Sequence, residues 1–385
     1  MNILFTIHHT LSRNAGAPGV TLKLAQALRE RGHEVVIYSH DNVKGIGGRA
    51  RTMLFPWFVL FHVIAHPQYD VLDMSAGDGW LVNLLRRAFG WRRRQLSVTR
   101  SHGMEPVVHE VFLEGWRTGN VEKTWKYHIY HGGLRLWECT KSFKWADVAM
   151  LLNDTECEFA VTRLGFREQQ VVQIGNGIDE TFTSIAQEAL KDDAAETDTP
   201  LHLAFIGRAN YWKGIETLTQ TIPMLFARHP HVTLSLFGTG EPAERTLARF
   251  PERLHARIKA VPTYQNERLP EMLAGCHILA FPSIYEGFPL SPLEAMACGL
   301  VPVVTDIGGL RAFVRDGDNG VIVPPGDAAA LDAALQALLD DPVRWTALRR
   351  RARETALEYS WARIADHFER LYVSRLHRGF TPVAA

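Results

Sequence analysis

The chain has 385 residues, more than one compact core usually contains, so two domains of ordinary size are expected. Hydrophobic residues make up 46% and charged residues 22% of it, as in an ordinary globular protein. Lys plus Arg and Asp plus Glu number 42 each, so the net charge is zero and gives no support for a nucleic-acid partner.

The first elements predicted along the chain form a β-α-β unit. Residues 3–7 are a continuous apolar run, suited to a parallel strand that is covered on both faces. A polar loop with Gly16 and Gly19 follows, then an amphipathic helix over residues 20–31 and a second strand over residues 34–38. The loop therefore lies at the carboxyl end of the first strand, where open α/β sheets bind ligands.

Three features predict a cytoplasmic location. The longest apolar run, residues 53–65, is shorter than the roughly 20 residues that span a bilayer. The N-terminus lacks the basic region of a signal peptide. The cysteines form no C-x-x-C pair and are expected to be reduced thiols: Cys139, Cys157, Cys276 and Cys298.

The alternation of strands and helices restarts near residue 201. Apolar runs predict further strands over residues 201–206, 232–237, 278–281, 301–305 and 320–323. Residues 186–200, between the halves, are polar and are predicted to be a linker or a flexible loop. A final amphipathic helix is predicted over residues 361–376, with Ser360 as its N-cap. The pattern predicts an α/β fold with two Rossmann-like domains.

The most informative segment spans residues 282–299. A buried strand ends at its start, a loop runs to Ser291, and a helix is predicted from Pro292 to the last residue of the segment. The amides of the loop and of the helix start form a site suited to a diphosphate. Two carboxylates accompany it, Glu286 on the loop and Glu294 in the first helical turn.

The residues alone leave two interpretations of these carboxylates open. Residues 291–294 also match a capping box, in which Glu294 only binds the backbone at the start of the helix. A single glutamate on a loop, such as Glu286, is usually a solvated surface group. The presence of both carboxylates within this one segment favours ligand binding.

The segment resembles the E-x(7)-E segment of retaining glycosyltransferases of family 4, which have the GT-B fold. The resemblance is strong from about residue 171 to residue 361 and weaker before that, where only the glycine loop and Ser101-His102-Gly103 correspond. Further matches follow in order: Asn176-Gly177-Ile178-Asp179, Gly207-Arg208 with Lys213-Gly214, Gly238-Thr239-Gly240, Asp306-Ile307-Gly308-Gly309 and Gly326-Asp327.

The resemblance implies the domain organisation and the reaction. It implies two Rossmann-like domains that face each other across a cleft: an acceptor-binding domain over residues 1–178 and a donor-binding domain over residues 179–360. A C-terminal helix within residues 361–385 is expected to pack back on the first domain. The implied enzyme is a retaining hexosyltransferase of polysaccharide biosynthesis. It moves a sugar from a nucleotide-diphosphate sugar to a glycan, a lipid-linked glycan or a small molecule, without a metal or a further cofactor.

The resemblance also implies roles for single residues, of which Arg208, Lys213, Glu286 and His102 are the expected catalytic ones. Arg208 and Lys213 would neutralise the diphosphate as the leaving group gains charge. Glu286 would contact sugar hydroxyls, Glu294 the nucleotide ribose, and His102 would lie beside the transferred sugar. Backbone contacts with the donor are expected at Gly16, Gly19, Gly207, Gly238, Phe288, Pro289, Leu290 and Ser291.

Other assignments stay open on the sequence. A glycine usual for the family is missing near residues 259–264, where the nucleotide base is expected, so UDP, GDP and ADP are all candidates. A nucleotide-sugar hydrolysing epimerase on the same fold is one alternative function. The loop at Gly238 allows a nicotinamide oxidoreductase as a second, and a silent nucleotide-sugar-binding subunit is a third. Asp316-Gly317-Asp318 matches a metal-binding pattern but is predicted to be a turn.

Basic residues concentrate in residues 86–94, where five arginines surround two aromatic residues, Phe89 and Trp91. From residue 86 to residue 145 there are 12 Lys or Arg and 5 Asp or Glu. One interpretation is a solvated basic loop. The other is an interfacial patch whose aromatic residues enter the headgroup region of an anionic membrane. The protein would then be peripheral at the inner, cytoplasmic face of that membrane.

Overall fold

The computed structural model describes residues 1–13, 16–92, 94–122, 127, 130–191 and 202–377. The chain divides into two compact units. The first contains residues 1–177 and the segment that begins at Trp361, and the second contains residues 178–360. A parallel sheet with helices forms the framework of each unit, as an α/β fold requires.

The described strands of the first unit form one parallel sheet. They are β1 (Asn2–Ile7), β2 (Glu34–Ser39), β3 (Val71–Ser75), β4 (Leu96–Arg100), β5 (Val148–Leu151) and β6 (Val171–Gln173). Their order is β2-β1-β3-β4-β5-β6, so the strand order reverses between β1 and β3. The strands predicted over residues 3–7 and 34–38 are confirmed to within one residue at each end.

Helices described in the first unit, before the second unit begins, are α1 (Gly16–Glu30), α2 (Gly48–Ala65), α3 (Trp80–Phe89), α4 (Glu105–Arg117), α5 (Leu136–Trp145) and α6 (Asp154–Thr162). The apolar run over residues 53–65 lies in α2, which contains Pro56. Within the part of the chain that the structure describes, no helix combines the length and the apolarity needed to cross a bilayer.

The start of α1 differs from the prediction. The helix begins at Gly16 rather than at residue 20, so Gly16 and Gly19 lie in its first turn and not in a loop. Pro18 is compatible with this position because the first amides of a helix have no intrahelical acceptor. A Cβ at Gly19 would lie 2.6 Å from the carbonyl oxygen of Arg13, so this glycine lets the preceding chain pack closely on the helix.

The described strands of the second unit form the other parallel sheet. They are β7 (His202–Ile206), β8 (Thr233–Phe237), β9 (Ile258–Val261), β10 (Ile278–Phe281), β11 (Val301–Thr305) and β12 (Val321–Val323). Their order is β12-β11-β10-β7-β8-β9, so the strand order reverses between β10 and β7. Such a reversal leaves a crevice outside the carboxyl ends of the two strands, where open α/β sheets bind ligands.

Helices described in the second unit are α7 (Glu180–Lys191), α8 (Ile215–Arg228), α9 (Ala243–Leu247), α10 (Leu269–Leu273), α11 (Leu290–Ala297), α12 (Gly308–Arg311), α13 (Ala328–Leu339) and α14 (Pro342–Leu357). The linker prediction is wrong where α7 occupies residues 186–191, because Phe182 and Ala186 are buried on the face that packs against α14. Residues 192–200 of that prediction lie outside the described residues.

The last helix, α15 (Trp361–His377), packs against α1 of the first unit. The guanidinium of Arg31 on α1 contacts the carboxylate of Asp366 at 2.9 Å. The hydroxyl of Tyr372 donates to Oδ2 of Asp73 at 2.6 Å, and both side chains are fully buried. The opposite oxygen of Asp73 accepts from Nε of Arg100 at 3.0 Å, so the helix is attached to a buried charge pair.

The basic segment over residues 86–94 is only partly exposed. Arg86 is buried, and its guanidinium contacts the carboxylate of Asp147 at 2.6 Å, so this arginine is not part of a surface patch. Trp91 is half-buried and packs on the core under α2, whereas Phe89 is 78% exposed. Arg93 lies outside the described residues.

His62 on α2 predicts how the stability of the protein depends on pH. Its ring stacks on Tyr38 at 4.3 Å between ring centroids, and its Nε2 lies 3.0 Å from the hydroxyl of Tyr69. Burial, with the neighbouring His66, lowers the pKa of His62 from 6.5 to about 4. Between these two values the unfolded chain binds more protons, so stability falls as the pH drops below 6.5.

We therefore expect the variant His62→Gln to lose less stability than the wild type between pH 7 and pH 5, by about 1 kcal/mol or less because the ring is only partly shielded. Urea unfolding at both pH values measures the difference. Equal losses in the two proteins would show that His62 does not contribute to the pH dependence.

Candidate functional site

Most of the residues predicted to bind the donor lie at the carboxyl edge of the second sheet. Gly207 and Arg208 follow β7, Gly238 follows β8, and the loop over residues 282–289 follows β10. Parallel strands end at the same edge of a sheet, so these loops are neighbours at the point where the strand order reverses.

The loops after β7 and β10 are held together by close backbone contacts. Gly214 has a φ of 68°, and a Cβ there would lie 1.8 Å from the carbonyl oxygen of Pro282. The amide of Ile284 donates to the carbonyl oxygen of Trp212 at 2.9 Å. The side chain of Asn210 accepts from the amide of Lys213 at 3.2 Å, which shapes the turn before Gly214. The sequence pair Lys213-Gly214 therefore places the lysine directly beside the loop after β10.

Lys213 and Glu286 are paired in the structure. The ammonium group of Lys213 contacts Oε1 of Glu286, and the hydroxyl of Ser283 donates to the same oxygen at 3.0 Å. The ammonium group also lies 5.4 Å from the ring centroid of Phe281. The side chains are 27% and 13% exposed, so removal of either charge would leave its partner partly buried and unpaired.

Arg208 is exposed at the same edge, and among the described residues its guanidinium makes no ion pair or hydrogen bond. The backbone next to it is fixed, because the amide of Ala209 donates to the carbonyl oxygen of Thr239 at 2.8 Å. A Cβ at Gly240 would lie 3.4 Å from Cγ of Arg208, so the glycine leaves room for the arginine stem. The guanidinium is therefore placed to receive an anion, which it can bind in a bidentate manner.

The start of α11 corrects the prediction for Glu294. The helix begins at Leu290, with Pro289 as an N-cap that makes no side-chain hydrogen bond, so the capping box is wrong. Pro292 is the third helical residue rather than the first and still lies in the turn whose amides have no intrahelical acceptor. Glu294 is the residue that follows this first turn. Its side chain is buried, and its Oε1 accepts from Nδ2 of Asn266 at 3.1 Å.

Aromatic side chains and helix α12 pack against the segment over residues 286–291. The ring of Phe288 is buried and packs on Phe313 at 5.3 Å and on Tyr359 at 5.8 Å between ring centroids. A Cβ at Gly309 would lie 2.3 Å from the carbonyl oxygen of Glu286, so this glycine lets α12 approach the loop. The support orients the amides of Leu290 and Ser291, at the N-terminus of α11, in the position where a helix attracts an anion.

Asn266 is a site residue that the sequence reasoning missed, and Tyr264 ends the segment in which that reasoning expected the nucleotide base. A Cβ at Gly238 would lie 2.9 Å from the ring of Tyr264, so this glycine lets the tyrosine pack over the loop after β8. Burial, to which the carboxylate of Glu294 adds, raises the pKa of Tyr264, so its hydroxyl stays protonated at neutral pH. Both residues follow β9 closely in the sequence. A prediction of this strand over residues 258–261 would therefore have indicated that they lie at the carboxyl edge of the sheet.

His102 lies in the first unit, just beyond the end of β4. Its Nε2 lies 2.9 Å from the hydroxyl oxygen of Ser75, which ends β3. Burial, with the positive charge of Arg100 adding to it, lowers the pKa of His102 well below 6.5. The side chain is therefore neutral at pH 7 and can exchange a hydrogen bond but carries no charge.

A second group in the first unit was missed by the sequence reasoning. Asp78 is fully buried and accepts from Nδ1 of His8 at 2.7 Å and from the hydroxyl of Thr6 at 3.2 Å. The guanidinium of Arg135 lies 3.9 Å from the same carboxylate. The position of His8 just beyond β1 was a usable signal. Arg135 lies far along the chain on a helical turn, and nothing in its sequence context indicated this contact.

Two alternative sites lose support from the structure. The turn over residues 316–320 is closed by the amide of Gly317, which donates to the carbonyl oxygen of Gly320 at 2.9 Å. Within the described ranges, no group of three or more His, Cys, Asp or Glu side chains could hold a metal ion. The loop at Gly238 leads only into the short helix α9, behind Pro242, and not into the long helix of a dinucleotide-binding unit.

Comparison with known proteins shows which proteins this chain resembles in sequence and in fold. Residues 186–358, which lie within the second unit, match the family model of glycosyl transferases group 1. Solved structures show that the fold of the whole chain is the GT-B fold. Sucrose-phosphate synthase from Thermosynechococcus elongatus superimposes with a TM-score of 0.73 and 22% identity over 98% of this chain and 99% of that one. HepE of Anabaena in complex with UDP-glucose superimposes with a TM-score of 0.68 and 18% identity, over 97% of this chain and 100% of that one.

Curated relatives match over a smaller range. The D-inositol 3-phosphate glycosyltransferase of Corynebacterium kroppenstedtii is 32% identical over 209 residues, which are 51% of this chain and 46% of that protein. The glycogen synthase of Mycobacterium tuberculosis is 31% identical over 209 residues, 53% and 49% of the two chains. The match thus spans about half the length of these relatives.

The contact of Gly214 with Pro282 predicts a large difference between two glycine substitutions. Gly214→Ala adds a methyl group that overlaps backbone, whereas Gly326→Ala adds one in open space at a similar φ of 74°. Both variants lose about 1 kcal/mol from the left-handed backbone. We expect Gly214→Ala to lose roughly 3 kcal/mol more, because the two loops must move apart. Urea unfolding of the two variants measures the difference, and equal stabilities would show that the contact is not a constraint.

Proposed function

We propose that the protein is a retaining glycosyltransferase that moves a sugar from a nucleotide-diphosphate sugar to an acceptor hydroxyl, in the cytoplasm. The observation that carries the proposal is the arrangement of Arg208, Lys213 and Glu286 at the strand-order reversal of a glycosyl transferases group 1 domain. HepE of Anabaena, which shares the fold, has been solved in complex with UDP-glucose, and this supports the same class of donor.

Arg208 and Lys213 act on the leaving group in this proposal. The bond between the anomeric carbon and the diphosphate oxygen breaks, and the nucleotide diphosphate leaves with the electron pair. The acceptor oxygen forms the new bond and gives up its proton to the departing phosphate. Positive charge beside the diphosphate stabilises the transition state more than the ground state, which is what lowers the barrier. No metal ion or further cofactor is needed, since the two cations and the N-terminus of α11 supply this charge.

Glu286 and Glu294 orient the donor. Lys213 exchanges its contact with Glu286 for the diphosphate, and Glu286 then accepts hydrogen bonds from sugar hydroxyls. Glu294, buried beside Asn266 and Tyr264, accepts from the ribose hydroxyls. The acceptor binds at the carboxyl edge of the first sheet, where His102 and His8 lie. Gly16 and Gly19, in the first turn of α1, contact the donor through their backbone in this proposal.

Arg208 provides the first test. The variant Arg208→Ala should lower turnover roughly 10²-fold, because one well-placed donor to the developing charge contributes about 3 kcal/mol. Lys213→Gln should have an effect of the same size while it keeps a hydrogen bond to Glu286. Release of UDP, GDP or ADP from matching donors, with and without acceptor, measures turnover and also separates transfer from hydrolysis or epimerisation.

Arg228→Ala is the matched control for the first test, because Arg228 ends α8 at the opposite edge of the sheet and pairs there with Asp332. Its turnover should equal that of the wild type. Full activity of Arg208→Ala and Lys213→Gln would remove both residues from the mechanism and with them the observation on which the proposal rests.

Chelation and product stereochemistry provide the second test. Turnover should be unchanged in excess EDTA, and NMR of the product should show the anomeric configuration of the donor. Loss of activity in EDTA that added Mg²⁺ or Mn²⁺ restores would assign the charge neutralisation to a metal ion. An inverted product would contradict the retaining mechanism.

A further inference from the structure

Helix α2 exposes a continuous apolar face. Its exposed large side chains recur at helical spacing, so they lie on one side of the helix. They are Met53, Leu54, Trp57, Phe61 and Ile64, with exposures of 43%, 42%, 47%, 60% and 48%. The opposite side is fully used by the core of the first unit, where Phe55, Val59 and Val63 are buried.

The arrangement differs from the scattered exposed apolar residues found on most proteins. Single exposed side chains need no explanation, but a contiguous apolar patch marks an interaction surface. The helix carries apolar side chains on both sides, one facing the core and one facing outward, so the fold alone does not account for the outer face.

The two chain segments that form and adjoin this face, between Asp41 and Asp70 and between Asp78 and Glu105, contain basic but no acidic residues. Residues 43–69, which contain α2, hold three basic residues and no Asp or Glu. Residues 79–104 hold six arginines and no Asp or Glu, in a chain whose net charge is zero. Two of the six, Arg86 and Arg100, are buried in ion pairs. Lys44, Arg87 and Arg94 are exposed.

The second basic segment adjoins the C-terminal end of α2. The guanidinium of Arg92 donates to the carbonyl oxygen of Ile64, in the last turn of the helix, at 3.2 Å. Helix α3 packs against α2 and ends at Phe89, which is 78% exposed. An apolar face, an exposed aromatic ring and exposed arginines therefore occupy neighbouring positions on the first unit.

This charge distribution favours an anionic partner for the apolar face of α2. A symmetric contact with a second copy would place the patch on itself, so basic residues would face basic residues. An anionic lipid surface satisfies both features, since apolar side chains enter the boundary between headgroups and acyl chains and arginines meet the lipid phosphates. We propose that α2 and the adjoining arginines form a docking surface for anionic membranes, with α2 lying in the plane of the interface.

The proposal identifies α2, and not residues 86–94, as the part that enters the lipid. It does not depend on the proposed sugar transfer, because binding to vesicles needs no donor or acceptor. Cosedimentation of the full chain with vesicles of phosphatidylcholine, alone or mixed with phosphatidylglycerol, tests it directly. Binding is expected only to the mixed vesicles, and it should weaken with added salt as the screening length shortens.

Three double variants locate the surface. Trp57→Ser with Phe61→Ser should weaken binding roughly tenfold or more, since both side chains leave the lipid phase. Arg87→Ser with Arg94→Ser should weaken it by about fivefold per arginine. The control, Met224→Ser with Val343→Ser, removes exposed apolar side chains of the second unit, at 38% and 82% exposure, and should bind as the wild type does.

The other outcomes overturn the proposal. Equal binding to both vesicle types would show that the arginines do not contribute to membrane binding. Binding to neither type would show that the face does not dock on a membrane. A dimer in analytical ultracentrifugation that Trp57→Ser with Phe61→Ser converts to a monomer, without vesicle binding, would assign the face to a second copy. Thermal unfolding of each variant establishes that it is folded, and the arginine variant, which changes no core contact, tests the proposal independently of the apolar one.

Discussion

The close approach of Gly214 to Pro282 is the constraint on which the candidate site depends. The two residues follow different strands, β7 and β10, which are neighbours only because the strand order reverses there. A side chain at residue 214 would separate the two loops, and the hydrogen bond from Ile284 to Trp212 would be lost with the contact. The position of Lys213 beside Glu286 is thus a consequence of backbone packing and not only of attraction between their charges.

The pairing of Lys213 with Glu286 has an electrostatic consequence for donor binding. A cation and a carboxylate in a partly buried position stabilise each other, so neither group needs a bound ligand to be tolerated there. A nucleotide-diphosphate sugar offers a substitute for each partner, phosphate oxygens for the lysine and hydroxyl groups for the glutamate. In the proposed reaction the donor would therefore replace one satisfied contact with two. The exposed Arg208 would add a charge whose guanidinium makes no ion pair or hydrogen bond among the described residues.

Sequence reasoning predicted the parts of this site that depend on local patterns. The apolar runs located β7, β8 and β10, and the glycines after them indicated where backbone approaches closely. It misplaced the start of α11, because Ser-Pro-Leu-Glu satisfies a capping box whether or not the helix has already begun two residues earlier. It could not predict contacts set by tertiary packing, such as Asn266 with Glu294 or Arg135 with Asp78, since these residues share no local pattern.

The sequence alone did not indicate that the outer face of α2 forms the proposed membrane surface. The run over residues 53–65 was assessed by its length, which excludes a spanning helix, whereas its burial pattern shows that only half of the apolar residues serve the core. The core side of α2 packs on Leu4 of β1 and Met74 of β3, and the ends of these strands lead to His8 and Asp78. Docking of α2 on a lipid surface would thus fix the orientation of the strands whose ends form the proposed acceptor site. An acceptor carried by a lipid would then meet a first unit that is already oriented toward the membrane, without a separate ordering step.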